Sequence, residues 1–126
     1  MAFKSDRPIF LDLRRIRLPV AALVSILHRI SGVVLFISIP FMAYLFGLSL
    51  YSPAGFDRVL EIFQNGFVKV LMLIVLWALM QHFAAGIRFL LIDADVGVEI
   101  GQARNSAKLV NIVGLLATAV IGVLLL

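Results

Sequence analysis

The chain has 126 residues, 63% hydrophobic and 14% charged, where an average soluble domain carries roughly 45–50% apolar and about 25% charged residues. At a mean hydropathy of +1.12, one small core cannot hide this much apolar surface, so the surplus faces lipid and a water-soluble fold is all but excluded. The formal net charge is +4, but the basic residues flank apolar runs as topology signals do, which points to a bilayer and away from nucleic acid.

The first apolar run is uncharged from Ile30 to Phe56 and extends back past Arg29 to Val20. It predicts a helix of about 30 residues, reaching about 45 Å against a hydrocarbon core of roughly 30 Å, so its first turns stand in the interface. Pro19 suits the first helical turn, and Pro40 falls inside the span, where a missing amide donor bends a helix. The second uncharged run covers Val70 to Ile87 and the third Leu109 to Leu126, each about 18 residues, near the lower limit for spanning. The expected fold is thus an all-α membrane protein of one domain over residues 1–126, with transmembrane helices at about 20–50, 70–87 and 109–126.

The connection from Tyr51 to Lys69 carries Ser-Pro and Ala-Gly turn signals and has room for a short interfacial helix. The one from Arg88 to Lys108 is polar. Lys4, Arg7, Arg14, Arg15, Arg17, Arg29, Arg88, Arg104 and Lys108 fall on one side of the bilayer, and only Arg58 and Lys69 on the other. The positive-inside rule therefore puts the N-terminus and the second connection in the cytoplasm. No apolar h-region follows the first basic residues, and Asp6 and Asp12 argue against an organellar transit sequence. A bacterial inner membrane is the expected location. In the third span Gly114, Thr118 and Gly122 recur every fourth residue, a stripe along which another helix can approach closely.

The absence of cysteine excludes disulfides, thiolate-bound zinc, iron–sulfur clusters and covalently attached haem. No paired carboxylates lie within a span, no Gly-rich phosphate loop follows a strand, and no compact Ser/His/Asp set is present for hydrolysis. What remains is a short list of polar groups that are costly in lipid. Ser25, His28 and Arg29 share one face of the first helix at i, i+3 and i+4. His82 lies in the second span, with Ala78 and Gly86 one turn to either side and Ala85 beside them, an expected flat face against which a haem can lie edge-on while the imidazole ligates its iron. The simpler role for His82 is a hydrogen bond to a hydroxyl or carbonyl of a neighbouring helix. His28 and Arg29 can bind a carboxylate such as a haem propionate, or else anchor the helix among lipid head groups. Both histidines come out near the inner interface, at depths differing by roughly 6 Å.

The segment RPIFLDLRRIRLPVAALVSILHRISG, followed some fifty residues later by HFAAGIRFLLID, resembles the cytochrome b556 subunits of succinate dehydrogenase. The shared features are an Arg-Pro start, a proline before the first helix, S-x-x-H-R-x-S/T-G, and H-x-x-x-G-I-R with an aspartate, here Asp93, five residues on. They span nearly the whole chain. The resemblance implies a membrane anchor that forms a haem-containing bundle with a second small anchor subunit and docks an iron–sulfur subunit and a flavoprotein subunit, so that electrons from succinate reach ubiquinone. It implies His82 as one axial ligand of a haem b shared with the second anchor, Ser25 and Arg29 at the quinone site, and His28 and Arg29 near the propionates. It also implies that the chain is a subunit of an enzyme and does not oxidise succinate alone. Phe89 stands where the family commonly has histidine, which removes a polar group near the propionates or proton path. Two other readings use the same residues: a non-redox scaffold docking a peripheral complex through the small-residue stripe and basic arm, and a self-contained cytochrome b ligated by His28 and His82 together.

Overall fold

The structure, a computed structural model, describes residues 16–125. The basic arm with Lys4, Arg7, Arg14 and Arg15, the acidic Asp6 and Asp12, and Leu126 lie outside the described residues. Among the described residues the chain forms four α-helices and no strand: α1 (Val20–Tyr51), α2 (Pro53–Gln64), α3 (Gly66–Asp93) and α4 (Ile100–Leu125). Three of them, α1, α3 and α4, are long and apolar enough to cross a membrane, as the sequence led us to expect. At 32 residues α1 is about 48 Å long. Both α3 and α4 run past their uncharged stretches, because charge marks where a helix leaves hydrocarbon, whereas backbone hydrogen bonding continues into the interface.

Local chemistry sets the helix ends. Pro19 is the N-cap of α1, its carbonyl accepting from the amides of Ala22 at 2.9 Å and Leu23 at 3.2 Å. Pro40 sits within α1 without ending it. The short helix foreseen in the first connection is α2, opened by Pro53 and capped by Ser52, whose Oγ accepts from the Gly55 amide at 3.0 Å. A Cβ at Gly55 would strike the Leu48 carbonyl, so glycine is what lets α2 fold tightly against the end of α1. Asn65 Oδ1 then accepts from the amides of Phe67 and Val68 and starts α3. At the far end, Val96 N–H donates to the Leu91 carbonyl and Asp95 N–H to the Ile92 carbonyl, a Schellman closure that puts Asp95 at φ 59°.

Helix α3 packs against both α1 and α4, which also touch each other. Val24 of α1, Ala85 of α3, and Ala107 and Val110 of α4 form a buried cluster, with Val20, Ala84 and Phe89 around it. This core lies where α1 begins and α3 turns into α4. Lower along the bundle Gln81 is 1% exposed, and its Nε2 donates to Asn111 Oδ1 at 2.8 Å. Arg88, also buried, donates through Nε to Ser106 Oγ and through Nη2 to the Ala103 carbonyl, both at 3.0 Å. Every buried side-chain nitrogen and oxygen among the described residues has a partner, as a low-dielectric interior demands.

The small-residue stripe of α4 meets the chain's own α3. A Cβ at Gly114 would collide with the Gln81 side chain, and one at Gly122 would come within 2.8 Å of Leu73 Cδ2. Thr118 bonds back to the Gly114 carbonyl at 2.7 Å. A scaffold that docks through this stripe therefore loses its main surface. No residue in the most apolar stretch of α1 is buried, and Phe36, Phe41, Tyr44 and Phe46 all point outward.

Candidate functional site

The two histidines meet. Their rings stack with centroids 4.1 Å apart and planes 11° from parallel, which the expected difference in depth did not anticipate. Long side chains tilt along their helices and close such a gap. Each imidazole packs over a glycine of the opposite helix. A Cβ at Gly32 of α1 would lie 3.1 Å from His82 Cε1, and a Cβ at Gly86 of α3 would lie 3.8 Å from His28 Nε2. The Phe89 ring stands perpendicular to His28, with centroids 5.2 Å apart, so at this position an apolar edge replaces a polar side chain.

His82 Nδ1 lies 3.1 Å from the His28 carbonyl and 3.2 Å from Ser31 Oγ. A carbonyl only accepts, so the proton belongs on Nδ1, and the Nε2 lone pair is left for another partner. The hydrogen bond to a neighbouring helix and the capacity to ligate are therefore not competing roles, because they use different nitrogens. This is the tautomer that a haem-ligating imidazole needs, and the site fits such a group on the chemistry of its donor.

One expectation is corrected here. Ala78 and Ala85 are fully buried, and Ala85 belongs to the core cluster with α1 and α4. The flat face of α3 is used for helix packing, since small residues let backbones approach. Of the three residues only Gly86 borders the imidazoles. The stacked rings also disfavour a self-contained bis-histidine cytochrome, whose ligands must face each other across a macrocycle.

Ser25 and Arg29 lie on the flank of α1, next to its inward line of Val24, His28 and Ser31. Ser25 is half-buried, Arg29 is exposed, and neither has a hydrogen-bond partner among the described residues. Asp93 is exposed at the end of α3.

A profile of the succinate dehydrogenase/fumarate reductase transmembrane subunits matches residues 4–121. The chain belongs to this family. It is 37% identical over 120 residues to the succinate dehydrogenase cytochrome b556 subunit of Coxiella burnetii, covering 94% of this chain and 96% of that one. It is 32% identical to the b556 subunit of Paracoccus denitrificans over 83% of this chain and 81% of the relative, and 31% identical to that of Rickettsia felis over 87% and 80%. Family membership and three spanning helices make it a multi-pass subunit of a bacterial inner membrane.

Within this transmembrane subunit, the short list of polar groups in the spans left out Ser31, Gln81 and Asn111. A search for any hydrogen-bonding side chain inside an uncharged run would have found all three. Gly32 was visible only as part of a motif, with no partner to explain it.

Proposed function

We propose that the chain is the cytochrome b anchor of a succinate:ubiquinone oxidoreductase, folded as one domain with its N-terminus and α3–α4 loop in the cytoplasm. The observation that carries this reading is the His82 imidazole, bonded through Nδ1 to the His28 carbonyl and Ser31 with Nε2 unengaged. His82 Nε2 ligates the iron of a haem b. A partner anchor subunit would supply the other ligand, because the chain's only other histidine stacks on His82. A haem held by His82 would supply a one-electron store. Arg29, with His28, binds the propionates through charge-assisted hydrogen bonds.

Reduction of ubiquinone to ubiquinol takes two electrons and two protons, so it belongs near water and near the iron–sulfur subunit. Ser25 donates a hydrogen bond to a quinone carbonyl, and the permanently charged Arg29 favours the negative charge growing on that oxygen. No base among the described residues adjoins them, and water or a partner side chain delivers the protons. Succinate is oxidised in the flavoprotein subunit, whose electrons come through the iron–sulfur subunit docked on the cytoplasmic face.

Expression of the chain alone and with its partner anchor, followed by reduced-minus-oxidised spectra, tests this. Little b-type signal alone and a full one with the partner is the expected pair. No signal in either state supports a scaffold, and a full bis-histidine spectrum from the lone chain supports a self-contained cytochrome. For the quinone site, Ser25→Ala is expected to weaken quinone binding by roughly 0.5–1.5 kcal/mol, the value of one neutral hydrogen bond, and Arg29→Leu by more. Succinate oxidation with a soluble artificial acceptor, normalised to bound flavin, continues in both. Normal quinone reduction in both variants would remove these residues from the site, and equal losses with both acceptors would point to assembly instead.

A further inference from the structure

The Ser31-Gly32 pair closes the first sequence motif, and neither residue is itself a ligand or a quinone contact in the proposed function. Both residues touch His82. Ser31 is completely buried, and its Oγ lies 2.9 Å from the His28 carbonyl and 3.2 Å from His82 Nδ1. The hydroxyl has one proton, which it gives to the carbonyl, so its lone pairs are left to face the Nδ1 proton. Two oxygens on one turn of α1 thus share that proton, the carbonyl at 3.1 Å and the hydroxyl at 3.2 Å. Gly32 completes the seat, since a Cβ there would press to within 3.1 Å of the ring at Cε1 and 3.5 Å at Nδ1.

A single acceptor would satisfy a buried imidazole. Two acceptors from neighbouring turn positions also fix the plane of the ring, and they draw the Nδ1 proton outward, which makes Nε2 a stronger electron donor. We infer that Ser31 is a positioning residue for His82, orienting the imidazole and strengthening Nε2 as a donor to haem iron, so that it lowers the haem reduction potential. The inference rests on the reading of His82 as a haem ligand. A better donor favours the more highly charged ferric iron, so removing the hydroxyl raises the potential.

The test uses the complete complex in its membrane, titrated potentiometrically and normalised to flavin. Ser31→Ala is expected to keep its haem but show a raised midpoint potential and altered low-spin EPR g values, because the ring plane is less constrained. Ser31→Thr, which restores the hydroxyl, is expected to return both towards wild type. A wild-type potential and EPR spectrum in Ser31→Ala would overturn the inference, as would a shift in Ser31→Thr as large as in the alanine variant. If the alanine complex does not accumulate, Ser31→Cys provides the reading: a potential raised above the parent's supports the inference and an unchanged one overturns it. Failure of the parent reading looks different, because His82→Leu would then retain an unchanged haem spectrum while Ser31 had no ligand to position.

Discussion

Membranes carrying His82→Leu are expected to lose the b-type absorption from the reduced-minus-oxidised spectrum, the largest single effect foreseen for any side chain here. Leucine keeps most of the volume and removes the nitrogen proposed to hold the iron. The surroundings tolerate the change, because Ser31 still donates to the His28 carbonyl at 2.9 Å and no buried polar group is left without a partner. Loss of haem would therefore report loss of the ligand and not collapse of the bundle. An unchanged spectrum and potential in this variant would show that His82 does not hold the iron.

Gly114→Leu is expected to have the largest structural effect. The new side chain would enter the space of Gln81, which is 1% exposed and joined to Asn111 at 2.8 Å. Overpacking of this kind costs about 1–3 kcal/mol, and the broken amide pair adds roughly 0.6–2 kcal/mol within a membrane. Both losses fall on the α3–α4 interface, so unfolding in mixed micelles should shift to markedly lower denaturant. Leu115→Ala, one residue along and 61% exposed, is the control and should stay within about 0.5 kcal/mol of the parent. Matching unfolding curves for Gly114→Leu and the parent would show that the stripe does not seat Gln81.

The pairing of Ser31 with His82 bears on both results. A change at His82 alters its hydrogen bonds to His28 and Ser31 of α1, whereas a change at Gly114 acts on the contact of α4 with Gln81 of α3. The two are expected to be separable: the first leaves a folded chain without haem, and the second loosens the bundle first and the haem only as a consequence.

Composition and charge alone determined that this is a three-span membrane protein, because burial in lipid depends on hydropathy summed along a segment, and each sum is local. The turn signals before α2 and the polar connection after α3 were legible because they too are local. The chemistry of Ser25, His28, Arg29 and His82 could be picked out because polar groups in lipid are few. Which face of each helix turns inward was not legible. The spanning helices are apolar nearly all round, so periodicity carries little information about rotation, and the stripe of Gly114, Thr118 and Gly122 read equally well as a surface for a partner. Tertiary structure decided that the stripe seats Gln81 and Leu73 of α3, that Ala78 and Ala85 are packing residues, and that the imidazoles stack, with Gly32 leaving room for the His82 ring. It also assigned the proton of His82, since that depends on a carbonyl oxygen of another helix fifty-four positions away in sequence, 3.1 Å away in space.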